Sequence, residues 1–320
     1  MISITVAVCT YNGSKRLPAV LACLRSQQVG SGLDWEVVVV DNNSQDCTAD
    51  VVRAHQKDWP GISRLRYTFE HRQGLAYARQ RAIDEAHGAL VGFLDDDNLA
   101  DQGWVQSACN FAAHYPQAGA YGSRVLPHYE VKPPPDFQRI APFLAIVDRG
   151  RVPLMYKPEK KVLPPGAGLV VRRQVWLNYV PEALQLVGRV NGGMLAGEDL
   201  EALLYIQRAG WEIWYAPDLL VRHQIPSERL QEQYLLKLFR GIGLSRYRTR
   251  MLSWPIWLRP VAIAAYTTND LRKILHHLYK YKGSRGLIAK CELELYRSSL
   301  TSPLYTWGRN IEKLSNNQRT

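Results

Sequence analysis

The chain has 320 residues, 46% hydrophobic and 22% charged, which excludes a disordered or low-complexity chain and allows a sizeable core. The net charge of +11 is lopsided: from Arg229 onward there are 17 Lys and Arg against 5 Asp and Glu, so residues 229–320 carry +12 and residues 1–228 carry −1. The five cysteines form no C-x-x-C pair, which argues against a disulfide framework or zinc site and fits a reducing cytosol, and no run of about 18 uncharged apolar residues could span a bilayer.

In chain order, Ile2, Ile4, Val6 and Val8 alternate with Ser3, Thr5 and Ala7, predicting a first strand. This apolar start lacks a basic n-region and soon turns polar, so it reads as a strand and not as a signal peptide. Leu17, Val20, Leu21 and Leu24 recur at helical spacing, placing a strand-to-helix turn at Asn12–Ser14. The β-branched run EVVVVD (36–41) predicts a central parallel strand covered on both faces. It ends at Asp41-Asn42-Asn43-Ser44, with Ser44-x-Asp46 leading into a helix. LRYTFE (65–70) predicts a third strand, residues 75–87 a helix, and ALVGFL (89–94) a fourth strand that runs into Asp95-Asp96-Asp97-Asn98. The proline-rich residues 127–165 predict a long surface excursion. Residues 166–176 read as a glycine-rich turn, a short strand and a helix start. Residues 197–210 read as an amphipathic helix, with Leu200, Leu203, Leu204 and Ile206 toward the core and Gly210 as C-cap. Strand character resumes over 211–224, and helical periodicity with basic residues dominates from about residue 228.

Strand–helix alternation indicates an α/β layer with a mostly parallel sheet. Such sheets bind ligands at the carboxyl ends of their strands, where strand order reverses. Three polar clusters fall at those ends: Thr10-Tyr11-Asn12, Asp41-Asn42-Asn43 and Asp95-Asp96-Asp97. Strand alternation places Asp95 and Asp97 on one side, a spacing suited to oxygen ligation of Mg²⁺ or Mn²⁺; the alternative is a solvated turn. Asp41 reads either as an acceptor for a nucleobase or ribose or as an Asx turn. Glu198 and Asp199 read as helix-capping acids or as a general base at the mouth of the site. His223 is a third metal ligand or a polar loop residue, and Trp211 and Trp214 stack on a sugar or pack the core. The chain lacks G-x-G-x-x-G, G-x-x-x-x-G-K-[ST], H-E-x-x-H and G-x-S-x-G, which disfavours dinucleotide binding and P-loop phosphate transfer.

The ordered blocks VAVCTYNGSKRLPAVLACLRSQ, WEVVVVDNNSQDCT, QGLAYARQRAIDEAHGALVGFLDDDN, PPGAGLVVRRQVW and GEDLEALLYIQRAGWEIWYAPD resemble those of family 2 glycosyltransferases over roughly residues 2–225. With GFLDDDN, AGAYGS, FLAIVDRG and HQIPSERL, the chain looks most like the hormogonium polysaccharide biosynthesis glycosyltransferases of filamentous cyanobacteria. The resemblance implies a GT-A fold over 1–228 with a basic helical extension over 229–320. It also implies a nucleotide-sugar donor (UDP-sugar favoured), Mn²⁺ or Mg²⁺, and inversion at the anomeric carbon. It places Thr10, Tyr11 and Asn12 at the nucleotide pocket and Asp41 at the base. Asp97 becomes a metal ligand, and Asp95 or Asp96 serves the ribose and the metal waters. Asp199 becomes the catalytic base, His223 a further metal ligand, and Glu198 and Trp211 acceptor-side candidates. The Q-x-x-R-W motif of processive synthases is absent.

Two rival readings have less support. A sugar-phosphate nucleotidyltransferase needs a glycine-rich first turn that TYNGSKR does not supply. A non-catalytic nucleic-acid-binding protein would use the basic tail, which shows no recognisable nucleic-acid fold, so no nucleic-acid partner is expected. The expected acceptor is a saccharide or a lipid-linked sugar. The basic segment is expected to lie on an anionic membrane surface, giving a cytoplasmic protein peripheral to the inner face of the plasma membrane.

Overall fold

The computed structural model describes residues 2–61, 63–158, 162–190, 192–281 and 286–317, with side chains through residue 308. In its first half, β1 (Ile4–Thr10), α1 (Leu17–Arg25), β2 (Trp35–Asp41), α2 (Thr48–Lys57), β3 (Arg64–Phe69), α3 (Leu75–Glu85) and β4 (Leu90–Asp95) alternate strand and helix. These four strands are parallel, with β1 between β2 and β4 and with β3 outside β2. Strand order therefore reverses beside β1, and the register aligns Thr10 with Asp41 and Cys9 with Asp95. The three polar clusters thus share one sheet edge, where ligands bind in open α/β sheets.

Every residue of β1 and β2 is buried because helices cover both faces. Val6, Val8, Val37 and Val39 enter one apolar layer with Leu17, Leu21 and Trp104. Ala7, Val38 and Val40 enter the opposite layer with Ala78, Ile83 and Phe93. This is the two-residue period of a strand used on both faces.

The second half adds β5 (Asn98–Ala100), α4 (Trp104–His114), β6 (Ala118–Tyr129), β7 (Leu154–Met155), β8 (Leu169–Arg172), α5 (Arg173–Tyr179), α6 (Glu198–Arg208) and β9 (Glu212–Ile225). The mixed sheet runs β3-β2-β1-β4-β8-β6-β9-β5, with β7 also on β9. In α6 the fully buried side chains are Glu201, Ala202, Leu203 and Ile206, whereas Leu200 and Leu204 are only partly covered. The buried Glu201 carboxylate accepts Arg248 at 2.9 Å and the Leu186 N–H at 2.8 Å, so its charge is compensated.

Three long helices follow, α7 (Glu232–Leu252), α8 (Arg259–Tyr281) and α9 (Leu287–Asn317). The proline-rich excursion does not simply cross the surface as expected. Phe137, Ile140 and Leu144 point inward and build a third apolar cluster with Leu235, Phe239, Cys291 and Leu295. Short helical turns at Phe137–Arg139 and Ala141–Leu144 group these scattered apolar residues, and the prolines around them hide that spacing in the sequence.

Gly88 lies between α3 and β4, where an added Cβ would fall 2.5 Å from the Thr5 backbone nitrogen and 2.6 Å from the Ile4 carbonyl carbon. Neither backbone atom can yield without moving β1. Gly88→Ala is expected to cost about 1–3 kcal/mol, the usual range for overpacking, read as a lower urea midpoint at unchanged slope.

Candidate active site

β4 stops at Asp95, and Asp96 and Asp97 form a tight turn before β5. The Asn98 side chain holds this turn by accepting the Asp95 N–H at 3.2 Å. The expected alternation, with Asp95 and Asp97 on one side of an extended strand, is therefore replaced by a fan of three diverging carboxylates. Each of them meets its own arginine. Asp96 takes two hydrogen bonds from Arg16, at 2.9 and 2.8 Å, and one from the Thr10 hydroxyl at 2.7 Å. Asp97 accepts Arg229 at 2.5 Å and the Asn98 amide at 2.9 Å. Asp95 lies 3.8 Å from Arg79.

His223 sits across the strand pair from Asn98, which brings its Nε2 to 3.5 Å from Asp97. Its Nδ1 lies 2.9 Å from the Leu144 carbonyl oxygen. A carbonyl only accepts, so Nδ1 carries the proton and Nε2 presents a lone pair. Arg229 donates to that lone pair at 3.0 Å and to Asp97. One guanidinium therefore bridges the carboxylate and the imidazole. Burial opposes ionisation of Asp97, but His223, when its ring is charged, and the Arg229 guanidinium outweigh it and hold the carboxyl well below its usual range. Asp97 and His223 form a pair of oxygen and nitrogen donors of the kind that accepts Mn²⁺. Asp95 lies outside that pair, and among the described residues no three His, Cys, Asp or Glu side chains converge on one metal position.

Arg79 projects from α3 and is 3% exposed. Its guanidinium lies between Asp95 and Glu198, 3.4 Å from the latter, and over the Phe93 ring. A Cβ at position 166 would come within 2.0 Å of this guanidinium, so Gly166 makes the room for it. Burial pushes the Glu198 carboxyl up to about 7, Asp199 adds to the rise, and Arg79 opposes it. Asp199 accepts the Gly166 N–H at 2.6 Å and the Leu200 N–H at 2.8 Å. Although Gly197 is the N-cap of α6, Leu200 is in the first turn, so Asp199 takes up one of the unpaired N–H groups there. The Gly166 contact additionally ties it to the loop before β8.

At the other strand ends, Asp41 accepts the Ser44 N–H and the Tyr67 hydroxyl, each at 2.9 Å. The first closes on the third residue along, one beyond the span of an Asx turn, and fixes the loop that leaves β2. Asn12 adopts φ +48° and accepts the Gln45 N–H at 2.8 Å. Tyr11 beside it is exposed. Gly13 leaves space for the Thr10 hydroxyl, which a Cβ there would meet at 1.9 Å. Trp211 is not brought to this site. It packs against Gly119 beside Ile206, beyond the far end of α6, a helix about 16 Å long. Trp214 packs on Tyr115 with ring centroids 4.6 Å apart.

Sequence reading did not single out Arg16, Arg79, Arg229 or Tyr67. The only signal was indirect: three adjacent carboxylates require cations, but nothing marks which arginines arrive by folding.

A mixed sheet carrying acidic residues at its switch point and flanked by helices is the GT-A architecture of glycosyltransferases. Two solved structures share it at the level of fold. The mannosyltransferase PcManGT from Pyrobaculum calidifontis, in complex with GDP-Man and Mn²⁺, superposes with TM-score 0.59 at 20% identity over 97% of this chain and 86% of its own. S. aureus TarS 1-349, in complex with UDP, gives TM-score 0.53 at 17% identity over 96% and 92%. The pattern of glycosyl transferase family 2 matches residues 5–174, and the chain belongs to that family. The succinoglycan biosynthesis protein ExoM of Rhizobium meliloti (strain 1021) is 24% identical over 242 residues, 73% of this chain and 71% of ExoM. Other curated glycosyltransferases match over 23% to 42% of their own length.

Because folding raises Glu198 from 4.5 to about 7, the folded chain holds this proton more tightly than the unfolded one. The stability this confers is fully present below pH 4.5 and is lost as pH rises through about 7. Glu198→Gln is expected to flatten the fall of the urea midpoint across that window relative to wild type.

Proposed function

We propose that the chain is an inverting, divalent-metal-dependent glycosyltransferase of polysaccharide biosynthesis, of the hormogonium polysaccharide type. It would move a sugar from a nucleotide-diphosphate donor, with uridine the favoured base, to a saccharide or lipid-linked acceptor. One observation carries this reading. Arg79 lies between Asp95 and Glu198, so the acidic turn and the Glu198-Asp199 pair flank a single guanidinium although they are far apart in sequence. Donor-binding and proton-accepting groups are thereby adjacent. The UDP bound to TarS and the GDP-Man and Mn²⁺ bound to PcManGT support a nucleotide-sugar donor and a divalent ion. ExoM supports a polysaccharide product.

Residues 1–228 form the catalytic unit in this reading, and residues 229–320 extend it. Asp41 keeps lone pairs free beyond its bonds to Ser44 and Tyr67 and takes the base N–H. Thr10, Tyr11 and Asn12 line the nucleotide. Asp95 and Asp96, the latter fixed by Arg16, face the ribose side. Asp97 and the Nε2 of His223 would hold Mn²⁺ or Mg²⁺, which when bound would offset the charge developing on the leaving diphosphate. Asp199, pinned by two backbone N–H groups, takes the proton of the acceptor hydroxyl as that oxygen attacks C1. Attack opposite the leaving group inverts the anomeric centre. Glu198 sits on the acceptor side and keeps Arg79 in place.

Incubation with a panel of nucleotide sugars and Mn²⁺ should show hydrolysis or transfer with one donor. Asp199→Asn is expected to lower turnover about 10²–10⁴-fold, the usual contribution of a general base, with donor affinity unchanged by calorimetry. Turnover near wild type would remove Asp199 from this role. Arg229 bridges the two metal donors in the donor-free protein, so Arg229→Ala is expected to tighten Mn²⁺ binding in a titration without donor. Asp97→Ala is expected to abolish it.

A further inference from the structure

α8 and the turn before it carry an apolar face that no other described element covers. Val261, Ala264, Thr268, Leu271, Leu275 and Leu278 follow one another at steps of three and four residues, and all are exposed. That spacing keeps them on one side of the helix, along about 26 Å at 1.5 Å per residue. Ile256 and Trp257 extend the face at its start and are 77% and 75% exposed. Leu304 and Trp307 of α9, also exposed, follow closely after Ser302 and Pro303, which share a crevice with Ile263. They therefore lie toward the same end of α8. Arg272, His276 and Lys280 are exposed beside the stripe. The helix is amphipathic along its whole length, yet among the described residues no helix is long and apolar enough to cross a membrane.

We infer that this face of α8 lies in the plane of an anionic lipid bilayer. Leu271, Leu275 and Leu278 would be seated among the acyl chains, Trp257 at the headgroup level, and Arg272 and Lys280 against lipid phosphates. An apolar stripe with cations at its border is the pattern of an interfacial helix, and the aromatic ring belongs at the headgroup boundary. Residues 229–320 carry an excess of +12; Arg229 and Arg248 are spent on Asp97 and Glu201, but Arg272 and Lys280 stay exposed beside the stripe and supply charge complementarity to an anionic surface. A second protein or a second copy of the chain would account for the apolar stripe but not for the flanking cations. The inference deepens the lipid-linked acceptor reading and rests on it, because a bilayer-bound enzyme meets such an acceptor at the membrane surface.

The test is co-sedimentation of the full chain with phosphatidylcholine vesicles, with and without phosphatidylglycerol. The wild type should bind the anionic vesicles and release as salt is raised. Leu271→Glu combined with Leu275→Glu should weaken binding on the order of tenfold or more, the effect of removing two buried leucines. Arg272→Glu with Lys280→Glu should weaken it selectively on anionic vesicles. Both pairs lie outside the site, so donor hydrolysis in solution should persist and serves as the check of folding. Equal binding by wild type and the leucine variant would overturn the inference. So would a wild-type dimer in light scattering that the leucine variant dissolves, without vesicle binding by either. Vesicle binding without hydrolysis of any nucleotide sugar would instead count against the proposed activity alone.

Discussion

Three consecutive carboxylates at the end of a buried strand are tolerable only if each meets a cation, and Arg16, Arg79 and Arg229 meet one each. Two unit charges about 4 Å apart interact by about 4 kcal/mol at an effective dielectric near 20. Leaving even one carboxylate uncompensated would thus weigh heavily against a marginal fold. The turn at Asp96–Asp97 is the geometric solution. It points the three acids in different directions, so that cations from three remote segments can reach them. Much of the site follows from where those cations come from.

Arg16 stands just before α1 and ties Asp96 to the first strand-helix turn, where Thr10 and Gly13 also converge. Arg79 comes from α3 and links the strand end to the start of α6. Its burial is possible only because position 166 carries no side chain. Glu198 is held there as a buried acid whose proton affinity is raised, while Asp199 beside it is fastened by backbone N–H groups and only partly covered. Adjacent acids on one helix start thus meet different environments through different degrees of burial.

Arg229 comes from the turn that leads into the helical C-terminal part, so that part is joined to the site by more than the chain. It shares the third apolar cluster with residues 137–144 and with the end of β9, and Arg248 of α7 compensates the buried Glu201 of α6. The same helices that supply one cation to the acidic turn present the exposed stripe of α8. The acidic end of the sheet and the amphipathic surface are therefore held by one packed body.

The sequence by itself determined the alternation of strand and helix, the three polar clusters at the strand ends and the α/β class. These depend on local periodicity and on turn residues, which are written in consecutive positions. Asp41, Asp97, Asp199 and His223 stood out as candidates for the same reason, as polar residues at the ends of apolar runs or at helix starts, while their proposed roles came from the family resemblance. Only the tertiary structure decided how the acids pair, that Asp95 leaves the Asp97–His223 pair, and that Trp211 packs away from the site. Only it showed that residues 137–144 belong to a core and that Leu200 and Leu204 are not its main contributors. Such outcomes depend on which distant side chain arrives within a few ångströms. An arginine on a helix looks the same in sequence whether it meets solvent or neutralises a buried carboxylate.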